Sequence, residues 1–355
     1  MADIYKMDSH KLIYHMERVI EHYDKGKRIY PLLIDLAISK MCNIACKWCY
    51  GIWQNKDGAL MPKDAVMNVY EQAPELGVKA LALIGDGENT LNPAMYPAIE
   101  KGAGKIDMSL ATNGVALNKE KIDFLLRHLT WMRFSVSAAS SEGYLAIHQK
   151  DFWHIVERNM IDAARIKHKK GYQCTLGIQT VLTPDTLPYV IEQSVFALKY
   201  GFDYYVIKQY SDPGDNRMSP FNQEWYYTDE VNNLLDRVEN MSTQKTQIIP
   251  KRNTMYRKGK RAYDHCVDCP LLFQISGNGK CYPCGYLFGD DRYCYGDLTK
   301  NSLKEILDSE QYWEIIRHMR YEFDVHKDCS GSCRHDALNQ AVWEYLHKSQ
   351  HVNFI

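Results

Sequence analysis

The chain is expected to fold as an α/β protein. Parallel strand–helix units curl around a core, and a small cysteine-rich α+β extension follows. Three observations predict this. Six short apolar runs alternate with longer amphipathic stretches between residues 31 and 210. Polar motifs close most of those runs. Ten of eleven cysteines fall into two groups, at 42–49 and 266–333.

Residues 1–30 read as polar and helical, with Leu12, Ile13, Met16, Val19 and Ile20 at helical spacing. The apolar runs follow at 31–39, 78–87, 106–114, 131–138, 172–182 and 203–210. Helix-like segments lie near 62–75, 93–103, 119–129, 152–169 and 187–200. This alternation predicts parallel βαβ units. A barrel of such units carries its chemistry at the C-terminal ends of the strands. Cysteines follow the first run, and Gly85-Asp86-Gly87-Glu88 closes the second. Thr112-Asn113-Gly114 closes the third, Ser135 and Ser137 the fourth, Lys208 and Gln209 the sixth.

A turn-rich stretch at 211–220 opens a helical linker that runs to 262. The extension occupies 263–335, with Gly277-Asn278-Gly279 marking a hairpin, and a last helix occupies 336–355.

At 355 residues and 45% hydrophobic, the chain can bury a sizeable core. Lys plus Arg total 43 and Asp plus Glu 44, a balance that argues against nucleic acid or an anionic membrane as partner. No apolar run reaches the roughly 18 residues of a membrane span, and the N-terminus shows no apolar core of a secretory signal. A cytoplasmic location is expected. In that reducing compartment, clustered cysteines point to metal or iron–sulfur ligation.

Cys42, Cys46 and Cys49 have the spacing C-x3-C-x2-C. A structural zinc site wants four protein ligands; three thiolates suit a [4Fe–4S] cluster with one iron open. The motif resembles the signature of the radical S-adenosylmethionine (SAM) superfamily, whose fold is a partial (β/α)6 barrel. The resemblance implies that the open iron binds the amino and carboxylate groups of SAM. The reduced cluster then cleaves SAM, and a 5′-deoxyadenosyl radical abstracts hydrogen from substrate carbon. It also implies that Trp48 packs near the adenine and that Gly85, Asp86, Gly87 and Glu88 form the motif holding the amino group. The proline usual after that glutamate is Asn89 here. Asn113 and Ser137 match positions near the ribose and carboxylate. Their alternative roles are turn geometry and a helix cap.

The second group holds Cys266, Cys269, Cys281, Cys284, Cys294, Cys329 and Cys333. From Cys269 through Gly279 to Cys284 it reads C-x9-G-x4-C, which resembles the opening of a SPASM or twitch auxiliary-cluster domain. A full SPASM domain has more closely spaced cysteines than remain here. The preferred ligands of one auxiliary [4Fe–4S] cluster are Cys266, Cys269, Cys284 and Cys333, with Cys329 the competitor for the last place. Two clusters, or zinc at the paired CxxC, remain open.

The expected enzyme therefore abstracts hydrogen and goes on to oxidation, bond formation or epimerisation. In an epimerisation Cys174 or Cys294 is a candidate hydrogen donor. The short segment before the first strand favours a small polar metabolite, such as a sugar or nucleotide derivative; a peptide is the alternative. Lys208, Gln209, Tyr210, Asp212, Tyr204 and Tyr205 are candidates to line the pocket. A flavodoxin or ferredoxin is the implied electron donor. The rival of another class is a non-catalytic zinc- or iron-binding regulatory module.

Overall fold

The structure, a computed structural model, describes residues 5, 9–49, 51, 57–211, 222–256, 260–330 and 333–354. A 3-10 turn (Ser9–His15) leads into helix α1 (Met16–Tyr23). Strands β1 (Leu33–Leu36), β2 (Ala80–Leu83), β3 (Asp107–Thr112), β4 (Trp131–Ser135), β5 (Thr175–Leu182) and β6 (Tyr204–Gln209) follow the six apolar runs. Between them lie α2 (Lys63–Glu75), α3 (Met95–Gly102), α4 (Lys119–His128), α5 (Ser141–His148), α6 (Trp153–Lys170) and α7 (Val190–Tyr200). The six strands are parallel and lie in sequence order, the pattern of a singly wound sheet that curls into a partial barrel.

Registers sort the strand residues into two rows. One row holds Ile34, Leu81, Met108, Leu110, Met132, Phe134, Leu176, Ile178 and Tyr205, all buried and almost all apolar. That row forms the core beneath the helices. The alternate row holds Asp35, Ser109, Arg133, Ser135, Gln179, Tyr204 and Lys208. Side chains alternate across a strand, so this polar row lines the inside of the barrel.

The sheet extends beyond the six strands at both edges. After α8 (Asp229–Glu239), β7 (Gln247–Pro250) pairs parallel with β6 and is followed by the short α9 (Arg252–Met255). The segment read as a helical linker thus contributes a strand. Its run, Gln-Ile-Ile-Pro, is too short to announce itself by periodicity. At the other edge β8 (Leu272–Ile275) pairs parallel with β1. Strands β9 (Lys280–Tyr282) and β10 (Gly296–Asp297) continue antiparallel from it, with the expected glycine turn between β8 and β9. Helices α10 (Leu303–Asp308), α11 (Glu310–Tyr321) and α12 (Asp336–Leu346) complete the extension. No helix among the described residues is long and apolar enough to cross a membrane.

Candidate active site

The cysteine loop leaves β1 and is gripped on three sides by backbone. A Cβ at Gly87 would stand 2.2 Å from the Ser39 carbonyl oxygen, and one at Gly277 would stand 2.2 Å from the Ser39 carbonyl carbon. Only glycine tolerates such close approach. The Glu88 N–H donates to the Met41 carbonyl (2.7 Å). On the third side, the last carbonyls of α5, which lack partners within a helix, accept from the loop. Ala45 N–H donates to the His148 carbonyl (3.0 Å) and Lys47 N–H to that of Ile147 (3.1 Å).

Cys42, Cys46 and Cys49 are half-buried thiols outside any disulfide. Asn113 Nδ2 donates to Asn43 Oδ1 (2.7 Å) and lies 3.8 Å from Cys42 Sγ. Cys46 Sγ lies 3.0 Å from Nδ1 of His148, and burial pushes that imidazole down to about 4. The Tyr144 ring packs on His148 with centroids 4.4 Å apart. Its hydroxyl is buried without a hydrogen-bond partner; burial, then the Cys46 and Cys42 thiols, raise its pKa. An orphan donor within electrostatic reach of two of the three thiols, Cys46 and Cys42, fits an anionic iron–sulfur group bound there.

The Gly85–Glu88 motif serves the loop more than a ligand through its side chains. Glu88 is buried, and its carboxylate accepts from Thr90 Oγ1 (2.6 Å), Thr112 Oγ1 (2.7 Å) and the Asn113 N–H (2.7 Å). Burial raises its pKa against those bonds. Asp86 accepts from Ser276 Oγ (2.7 Å) and the Gly277 N–H (3.0 Å), which ties the barrel to the hairpin. Both carboxylates are thus occupied by protein donors, and what the motif offers a ligand is its backbone. Ser137 Oγ accepts from the Val181 N–H (3.1 Å), so it stitches β4 to β5. Trp48 is buried in the core.

The seven C-terminal thiols divide. Cys266 and Cys269 sulfurs stand 3.3 Å apart, and the Cys329 and Cys333 thiols are within electrostatic reach of each other. Burial raises the Cys284 thiol to about 12, with Cys333 and Cys269 adding to it. Electrostatic contacts link these five, with Cys333 in reach of the other four. Arg261 Nη2 approaches Cys329 Sγ at 3.3 Å. The buried Tyr295 and Tyr312 hydroxyls have no hydrogen-bond partner and lie in electrostatic reach of Cys269. That environment also suits a thiolate-bound cluster. Cys281, fully buried, neighbours Cys294 instead.

The two hydrogen-donor candidates are not brought to the triplet. Cys174 immediately precedes β5 and so lies at the N-terminal rim, opposite the cysteine loop; burial raises its thiol to about 12. Cys294 sits in the extension, 3.4 Å from the Gly296 carbonyl. Of the pocket candidates, Tyr204 and Lys208 face inward. Tyr205 faces the helices and donates to Thr180 Oγ1 (2.9 Å). Gln209 accepts from Thr254, Tyr210 is buried, and Asp212 lies outside the described residues.

The structure adds residues that motif reading missed. Asp35 accepts from Arg334 through Nε (3.0 Å) and Nη2 (3.2 Å), and from Gln274 Nε2 (3.1 Å). Gln274 Nε2 lies 3.4 Å from His335 Nε2, and His335 Nδ1 pairs with Asp268 (2.9 Å), inside the Cys266–Cys269 loop. Burial opposes the imidazolium, but Asp268 outweighs it and raises His335 to about 9. This chain of contacts joins the auxiliary cysteines to the barrel interior. The signal was present: Asp35, Arg133, Gln179 and Gln274 each interrupt an otherwise apolar run.

Residues 36–187 match the family profile of the radical SAM superfamily. The chain belongs to the radical S-adenosylmethionine superfamily. Residues 271–334 match the SPASM iron–sulfur cluster-binding domain. The protein is thus a radical SAM enzyme, using a [4Fe–4S] cluster and SAM, with auxiliary iron–sulfur binding in its C-terminal domain. It is similar to a GTP 3′,8-cyclase of Helicobacter pylori, 23% identical over 277 residues, 71% of this chain and 80% of that protein. A probable GTP 3′,8-cyclase of Methanothermobacter marburgensis is 29% identical over 135 residues, 37% of this chain and 43% of that protein. Among solved structures, SuiB of Streptococcus suis bound to S-adenosylmethionine superposes with a TM-score of 0.66 at 16% identity, covering 91% of this chain and 77% of SuiB. Native anSMEcpe with bound AdoMet gives 0.61 at 18% identity, covering 89% and 96%. These two share the fold.

Proposed function

We propose that the enzyme takes a hydrogen atom from a carbon of a small polar metabolite, a sugar or nucleotide derivative, held inside the barrel below the cysteine loop. When bound, the [4Fe–4S] cluster and SAM supply the one-electron cleavage that makes hydrogen abstraction from unactivated carbon accessible. The chain's own residues position, enclose and orient. Cys42, Cys46 and Cys49 are assigned to that cluster. The backbone of Gly85, Asp86, Gly87 and Glu88, with Asn113, Ser137 and Trp48, is assigned to the surroundings of SAM. Cys266, Cys269, Cys284 and one of Cys329 and Cys333 are assigned to one auxiliary cluster, which accepts or relays an electron. The barrel is taken as 31–210 and the extension as 263–335. A flavodoxin or ferredoxin serves as reductant.

The observation that carries this reading is the polar inward row of the strands, from Asp35 to Lys208, beneath the rim that holds the cysteine loop. An apolar barrel filled by its own side chains would have no use for it. The relatives' name specifies a nucleotide substrate, which accords with a small polar ligand. A fold shared with SuiB, also solved with its precursor peptide SuiA, supports the peptide reading less, because the likeness is one of fold. Anaerobic incubation with metabolite and peptide pools tests the choice. A mass change coupled to 5′-deoxyadenosine is expected in the metabolite pool; one confined to the peptide pool overturns it.

A further inference from the structure

Three cations share the barrel interior. Arg133 comes from β4, Lys208 from β6, and Arg334 from the segment between Cys333 and α12. Arg133 and Lys208 lie in the inward-facing row. Arg334 reaches the same space, because it grips Asp35 of that row through two nitrogens. Asp35 is the carboxylate these cations share, and Arg334 and Gln274 already occupy its oxygens.

The other two cations form no ion pair among the described residues, although Asp35 lies within electrostatic reach of Arg133. The Nε of Arg133 is buried with no hydrogen-bond partner, and the guanidinium's neighbours are the Tyr204 hydroxyl and the Trp131 ring, 5.2 Å away. The Lys208 ammonium has no hydrogen bond or ion pair among the described residues. Burial, then Arg133 and Arg334, push its ammonium down to about 8. Half-buried like charges with no paired carboxylate are costly, and a fold keeps them where a ligand supplies the missing charge. Guanidinium and ammonium groups within electrostatic reach of one another match the oxygens of a carboxylate or phosphate.

We propose that Arg133, Lys208 and Arg334 form an anion subsite in the barrel interior, and that the substrate enters with a carboxylate or phosphate bound there. This rests on the reading of the interior as the substrate site, and it narrows the substrate class to anionic metabolites. Arg334 directly follows Cys333, so the same side chain connects the bound anion with the auxiliary cysteines.

Binding, not turnover, tests it. Reconstituted full-length enzyme is titrated anaerobically by calorimetry with inorganic pyrophosphate and, separately, with succinate. At least one probe should bind the wild type. Lys208→Met and Arg133→Met should each weaken it about tenfold or more, the loss expected for a charge-assisted bond. Lys208→Arg should retain binding, which separates lost charge from lost folding, and unchanged iron content confirms an intact barrel. The tighter probe identifies phosphate or carboxylate as the source of the anion. Equal binding to wild type and both methionine variants, or no binding of either probe, overturns the proposal. Because none of these readouts requires SAM cleavage or product, failure here is distinguishable from failure of the proposed reaction.

Discussion

His148 and Cys46 are joined by a hydrogen bond whose direction is set from its far side. The Ser137 N–H points at His148 Nε2 (3.2 Å), so that nitrogen must accept. A neutral imidazole then carries its proton on Nδ1, which donates to Cys46 Sγ at 3.0 Å. Hydrogen bonds to ligand sulfur stabilise the reduced, more negative cluster. His148→Phe keeps the ring on Tyr144 but removes the donor. The expected result is normal iron content, a lower midpoint potential in an EPR-monitored redox titration, and SAM cleavage slowed by about 10–100-fold. An unchanged potential would show that the bond is only structural.

Replacing Cys42, Cys46 and Cys49 together by alanine should abolish conversion of SAM to 5′-deoxyadenosine. Iron bound by the C-terminal cysteines should stay. Iron analysis with product chromatography reads both, and surviving cleavage sinks the assignment.

The five-and-two division of the C-terminal thiols makes a count. Cys269→Ala or Cys284→Ala should remove about four irons. Cys281→Ala and Cys294→Ala should remove none, since those thiols neighbour each other and not the five. Loss of several irons from either of the latter would mean a second auxiliary cluster.

Lys208 sets a pH limit on anion binding. Its ammonium is held down to about 8 by burial and by Arg133 and Arg334, and Arg133 in turn has Tyr204 and Asp35 within reach. A lowered lysine pKa means the charge is present below about 8 and lost above it. Probe affinity should therefore fall as pH rises past 8, with the midpoint moved upward by the bound anion. Lys208→Arg should flatten that fall, because arginine keeps its charge.

Asp86→Ala should loosen the extension. It removes two bonds to Ser276 and Gly277 from a buried acceptor, worth about 2–3 kcal/mol together. Anaerobic denaturant unfolding measures the loss, and limited proteolysis should find the hairpin first.

Much of the fold was legible because apolar runs and amphipathic stretches alternate cleanly up to residue 210. The cysteine spacings were legible because ligation chemistry fixes them. Strand β7 was not, since four residues carry no period, and β8 joined β1 only through a contact far apart in sequence. Side-chain roles were harder. Asp86 and Glu88 sit in a motif that points to a ligand, yet their oxygens are spent on the hairpin and on Thr90, Thr112 and Asn113. Asp35 and Arg133 interrupt apolar runs without forming a motif, and only register puts them on one wall. Cys174 looked like a free thiol until β5 placed it at the wrong rim.

The approach of Gly277 to Ser39 has a consequence for the order of synthesis. The triplet emerges from the ribosome long before the hairpin that packs on the backbone leading into it. Until residue 277 is made and docked, the backbone at 39–41 keeps Gly87 and the bridge from Ser39 to Leu60 but lacks its third neighbour. The loop that carries the triplet is therefore held less firmly in the nascent barrel than in the completed chain. A chain stopped at residue 262 should take up iron at the triplet readily and give it up to a chelator faster than the full-length enzyme.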